Sequence, residues 1–113
     1  MTQTVRQMVL GYQQEIRQGD LSPAHAADLL LKLTALIGNC NAEILESELA
    51  YSTVLLKYLD SDEAANRAKI RAQVTPEYRR KREAGDTKEL TVEMVRSLKF
   101  YLRACEEEMR LSR

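Results

Sequence analysis

The side chains able to do chemistry in this chain are few and scattered. Its one histidine, His25, has no cysteine or second histidine near it in sequence to complete a metal-ligand set or to orient it as a base. An isolated histidine of this kind reads as a surface residue. Cys40 and Cys105 match no zinc spacing. Both fall on apolar stripes, where a thiol behaves as a small buried hydrophobe. There is no glycine-rich phosphate loop and no Gly-x-Ser-x-Gly turn. Familiar nucleophilic and hydrolytic chemistry is thereby disfavoured. The residues ask for no cofactor and no metal, and the expectation is a protein that is not an enzyme.

The clearest local bias is electrostatic. Arg67, Lys69, Arg71, Arg79, Arg80, Lys81 and Arg82 are opposed only by Glu77, so this segment is +6; the whole chain is neutral, and the remainder is therefore −6. Such a patch could neutralise nucleic-acid phosphates, which gives salt-sensitive affinity without sequence preference. Tyr78 lies among these residues and could stack on a base. No helix-turn-helix, zinc finger or RNA-binding motif accompanies the patch. The plainer reading is a solvated helix end, or a patch that meets acidic residues of a neighbouring subunit.

The elements that must position these residues are helices. A composition of 44% hydrophobic and 30% charged residues suits one folded domain, 1–113. No apolar run reaches the roughly 18 residues of a membrane span. Met1-Thr2-Gln3-Thr4-Val5-Arg6 lacks the apolar core of a secretory signal. The expected location is the cytoplasm, with both thiols reduced.

Val5, Met8, Val9, Tyr12 and Ile16 recur at helical spacing and predict a first helix over 4–18, ended by Gly19-Asp20. Ser22-Pro23 is a cap followed by a first-turn proline, and opens a second helix expected to reach Leu59. Its stripe is Leu30, Leu33, Ile37, Cys40, Ile44, Tyr51, Leu55 and Tyr58, with Ser47 filling the gap. The stripe keeps its phase across Gly38-Asn39-Cys40-Asn41, so continuity is expected there. Asp60 and Glu63 resemble a capping box for a short third helix over 61–73. Thr75-Pro76 opens the fourth helix. Gly85-Asp86 reads as an interruption, with Asp86 and Glu89 as another capping box, and the strong part is 87–111. Leu90, Met94, Val95, Leu98, Tyr101, Leu102, Cys105 and Met109 form its stripe. The acidic run Glu106-Glu107-Glu108 sits where a helix prefers cations, so fraying is expected at that end.

The fold class that follows is all-α: a long antiparallel helical hairpin, coiled-coil-like, with a short N-terminal helix and a short helix at the hairpin tip. With Leu59 and Thr87 as the hairpin ends, Cys40 should face Cys105, Ile44 should face Leu102 and Tyr51 should face Val95. In that register Glu43 lies near Arg103 and a disulfide could join the two cysteines. The second helix carries an additional apolar seam: Leu45, Leu49, Ser52, Leu56 and Leu59. One partner helix covers only a narrow stripe. The first helix would cover part of the second seam and another subunit the rest, most simply in a two-fold dimer. Leu45, Leu49, Leu56 and Leu59 are the candidate oligomer interface.

Two resemblances bear on function. Glu43-x-x-Glu46 resembles half of the acidic metal site in all-α nucleotide pyrophosphohydrolases, where carboxylates one turn apart share magnesium. The second pair that such a site needs would here be Asp60-x-x-Glu63, in a turn and of the wrong order. Glu43 and Glu46 therefore read as surface partners of the fourth helix. The stretch Ile44 to Tyr58, the run Asp62-Glu63-Ala64-Ala65-Asn66-Arg67-Ala68-Lys69, the segment Glu77-Tyr78-Arg79-Arg80-Lys81-Arg82, and Arg96-Ser97-Leu98-Lys99 are together similar to small helical accessory proteins of tailed phages and prophages. That resemblance spans about the last two-thirds of the chain. It implies a helical hairpin and a viral or prophage origin, and assigns no activity and no functional residue. The expected function is a non-enzymatic interaction or scaffold module, oligomeric, engaging itself or another protein. The rival expectation is a nucleic-acid accessory protein using the basic segment 67–82.

Overall fold

Three side-chain caps start the three longer helices of this chain. The computed structural model describes residues 2–61 and 64–112. In it α1 spans Val5–Arg17, α2 Pro23–Leu59, α3 Ala65–Ala72 and α4 Pro76–Leu111. Thr4 and Gln7 form a reciprocal capping box at α1. The Ser22 hydroxyl accepts from the His25 N–H at α2, and the Thr75 hydroxyl accepts from the Tyr78 N–H at α4. A proline follows each of the last two caps. It suits the first turn, where its missing N–H is not needed. Gly19 (φ 79°) and Asp20 (φ 53°) turn the chain out of α1 through the left-handed region, which glycine and aspartate tolerate best.

α2 and α4 pack antiparallel, so the expected all-α hairpin is the observed one. α2 runs unbroken for 37 residues, about 55 Å. Gly38 and its two asparagines cost at most about 1 kcal/mol each, less than the packing that continues on either side of them.

Two expectations about the tip need correction. α4 passes straight through Gly85-Asp86, because Ala84, Thr87 and Thr91 are buried against α2 and hold the helix across the glycine. α3 is shorter than expected: Asp60 caps the end of α2 instead, and Ala64 precedes α3 without a side-chain cap bond. The expected capping partner Glu63 lies outside the described residues.

Because α4 begins at Pro76 and not near Thr87, the register also differs. Cys40 faces Thr91, with its sulfur 3.6 Å from the Thr91 hydroxyl, and the Tyr51 and Tyr78 rings meet at 5.3 Å. The slip from the expected pairing is about sixteen residues, roughly four turns. Cys105 lies beside Pro23 and Tyr101 at the open end. About fourteen residues of α4, roughly 21 Å at 1.5 Å per residue, separate it from the level of Cys40. No disulfide can join the two thiols, and both are free. Cys40 is buried as expected, whereas Cys105 is only half-buried.

The large core side chains cluster at the open end of the hairpin. There Val9 of α1, Leu29 and Leu33 of α2, and Met94, Val95 and Leu98 of α4 close on one another. Toward the tip the buried residues are small: Cys40, Ser47, Ala68, Ala72, Ala84 and Thr87. The buried hydroxyls are satisfied locally. Ser47, Thr87 and Thr91 donate to the carbonyls of Ile44, Glu83 and Thr87, which removes most of the cost of burying them. α1 is tied down at both ends. The Arg6 guanidinium donates to the Thr87 hydroxyl at 3.0 Å, and the Tyr101 hydroxyl donates to the Leu21 carbonyl just after α1. Cys105 beside it, and then burial, hold the Tyr101 phenol above its ordinary range. The molecule is a rod of 73 × 30 × 22 Å. Among the described residues no helix is long and apolar enough to cross a membrane.

Candidate functional site

α2 is apolar on two opposite faces, and the chain covers only one of them. The inner face, through Ala26, Leu33, Cys40 and Ser47, is buried. At about 100° per residue, Leu45, Leu49, Leu56 and Leu59 lie about 180° away. Leu45, Leu49 and Leu56 are 59–61% exposed and Leu59 40%. All four were expected at an interface, and α1 covers none of them. α1 packs instead on the inner side of the hairpin, at the far end, which corrects the expectation that it would share that task.

The outer seam is longer than the leucines alone suggest. Stepping back from Leu45 by alternating threes and fours, it continues through Ala42, Gly38 and Ala35 to Leu31. Every one of these positions is exposed. From Leu31 to Leu59 the strip is about 42 Å long. The helix at Gly38 is open outward, since a side chain added there would meet nothing within 4 Å. Alanine and glycine carry little hydrophobic signal, so in the sequence only the strict 3-4 spacing of these small residues marks them as part of the seam.

The basic segment is not one surface. Arg80 turns back onto α2, where its guanidinium grips both oxygens of Glu43 at 2.6 and 3.1 Å and reaches Glu46 at 3.3 Å. This clamp explains why Glu43 and Glu46 stand one turn apart, and it replaces the expected Glu43–Arg103 pairing. The Lys81 ammonium lies 4.8 Å above the Tyr51 ring. Tyr78 packs its ring against Tyr51 and accepts a hydrogen bond from Arg82 through its hydroxyl, so it is not held out for a base. Arg67, Lys69, Arg71 and Arg79 are exposed. Arg79 and Arg82 line a shallow groove that also holds Asp86.

The Arg80 guanidinium holds the Glu43 carboxyl below its ordinary range chiefly by hydrogen bonding, with burial opposing and its charge a lesser aid. A carboxylate with a lowered pKa in the folded state adds stability above its unfolded pKa and loses it as pH falls through the folded one. Glu43→Gln should therefore cost about 0.5 kcal/mol at pH 7, a value set by the solvent exposure of the pair. The difference from the parent should shrink as pH falls through the lowered range of the Glu43 carboxyl. Urea midpoints across a falling pH series check this.

A cavity of about 150 Å³ lies between the start of α1 and the hairpin, lined by Arg6, Cys40, Glu43, Arg80, Glu83 and Thr87. Its two guanidiniums and two carboxylates balance, so it favours neither anion nor cation. His25 is half-exposed, with Nε2 3.3 Å from a Glu15 carboxylate oxygen across the α1–α2 turn. Among the described residues no group of three or more His, Cys, Asp or Glu side chains could hold a metal ion. No protein-family model, no curated protein and no solved structure matches the chain.

Proposed function

We propose that this chain is a non-enzymatic helical interaction module that works as an oligomeric scaffold by docking a helix on the outer face of α2. The observation that carries this reading is the second apolar face of α2, uncovered along about 42 Å. Scattered exposed leucines are ordinary. A continuous strip at coiled-coil spacing is not, because a helix that is apolar on both sides belongs in the middle of a packed layer. The basic tip is the weaker candidate, since Arg80 and Lys81 are committed to α2.

The test is a photo-crosslinking amino acid placed at Leu49, on the outer seam, and separately at Arg96, which is exposed on α4. In the cells that make the protein, the Leu49 position should yield a discrete crosslinked product and the Arg96 position none. No product from Leu49 would remove the reading.

A further inference from the structure

We infer that the helix docked on the outer face of α2 is α2 of a second copy of this chain, lying antiparallel about a two-fold axis near the level of Ser47. This rests on the reading of that face as a helix-docking surface. Three observations select the occupant and its direction.

The first is the order of large and small residues along the seam. Leu31 lies beyond the overlap; within the paired span 35–59 the N-terminal half is small, with Ala35, Gly38 and Ala42, and the C-terminal half carries Leu45, Leu49, Leu56 and Leu59 besides Ser52. Antiparallel pairing sets one half against the other. Gly38 then receives Leu56 of the second copy, and Ala35 receives Leu59. Ala42 meets Ser52, and Leu45 meets Leu49 at the axis. Knobs fall into holes of matching size and the helices stay evenly spaced. Parallel pairing would stack leucine on leucine at one end and glycine on glycine at the other, and force the helices apart as a wedge.

The second is Gly38 itself. A mid-helix glycine lowers helix propensity, and nothing within its own chain approaches the space its side chain would fill. Leucine 56 of the second copy uses that space.

The third is charge. Antiparallel pairing brings Lys32, which flanks the seam and pairs with Asp28 in its own chain, opposite Asp60 of the second copy, twice per dimer. Glu46 approaches its own symmetry mate with Arg80 already bound to it. Glu48 meets its mate without such a bridge, and is the unfavourable contact of the arrangement.

Cysteine crosslinking tests the pairing. In a Cys105→Ser background, chains carrying Gly38→Cys and chains carrying Leu56→Cys are oxidised separately and after co-refolding. A disulfide needs Cα atoms within about 7 Å. The antiparallel dimer crosslinks only in the mixture, because position 38 lies about 27 Å along the axis from its own copy. Crosslinking of either chain alone shows parallel helices and overturns the inference. So does efficient crosslinking between Ala42→Cys and Leu45→Cys chains, which face each other only one heptad out of register. Glu48→Gln should tighten the dimer several-fold; in a parallel pair, where Glu48 faces Thr53, it would have no effect.

If the chain sediments as a 12.9 kDa monomer at tens of micromolar and gives no disulfide in any mixture, the second copy is excluded. The photo-crosslinker at Leu49 then separates the two claims. A product with a different protein leaves the docking face standing, and no product removes both.

Discussion

Leu33→Ala is expected to lower the unfolding free energy by about 3 kcal/mol, the middle of the range for emptying a well-packed leucine site. Leu33 is fully buried and belongs to the cluster in which Val9, Leu29, Val95 and Leu98 also sit. Three helices meet there. Against a total stability of about 5–15 kcal/mol for a domain of this kind, the loss should lower the melting temperature by more than 10 °C. Chemical denaturation followed by helical circular dichroism measures it. Leu31, two residues away and 72% exposed, is the control: Leu31→Ala should change subunit stability by less than about 0.5 kcal/mol. A loss at Leu33 no larger than that at Leu31 would place the core elsewhere.

Leu49→Glu is expected to raise the dimer dissociation constant about a thousand-fold while leaving the fold intact. In the two-fold arrangement each substitution removes two leucines from the centre of the interface. At about 2 kcal/mol each, the loss is about 4 kcal/mol, or roughly three decades in affinity. Within one subunit Leu49 is 61% exposed, so the helical signal and the denaturation midpoint of the dissociated chain should match the parent. Sedimentation equilibrium over a concentration series reads the effect. Leu31→Glu lies beyond the overlap of the two seams and should leave association unchanged. If both variants associate like the parent, the outer face is not where copies meet.

The helices were legible in the sequence because their starts are chemical events. Ser22-Pro23 and Thr75-Pro76 each combine an oxygen acceptor with a proline in the first turn, and the structure uses both. The inner stripe of α2 was legible for the same kind of reason, since large apolar residues recur from Leu30 to Tyr58 without a phase jump. The register is not legible in the same way. Gly85 reads as a helix end, yet one glycine costs only about 1 kcal/mol and Ala84, Thr87 and Thr91 are buried on either side of it. Threonines look polar in a sequence. Their hydroxyls bond to the preceding turn, so they sit in a seam as valine would. Moving the start of α4 back to Pro76 relocates every cross-helix pair, which is how Glu43 came to meet Arg80 and Cys40 to meet Thr91. The outer leucines of α2 were found from spacing alone. That α1 leaves them bare was not readable, because α1 is amphipathic and could have packed against either face.

The rod is filled by large side chains at one end and by small ones at the other. Leucine, methionine and valine fill the end that α1 closes, while alanine, serine, threonine and cysteine fill the end near α3. Buried apolar area sets local resistance to opening, so the two ends do not melt alike. Opening is expected to begin nearer the α3 end and to come last around Leu29 and Leu98, which are buried in the large-residue cluster. Amide protons would exchange along that gradient, soonest in the small-residue layers around Ala68, Ala72 and Ala84.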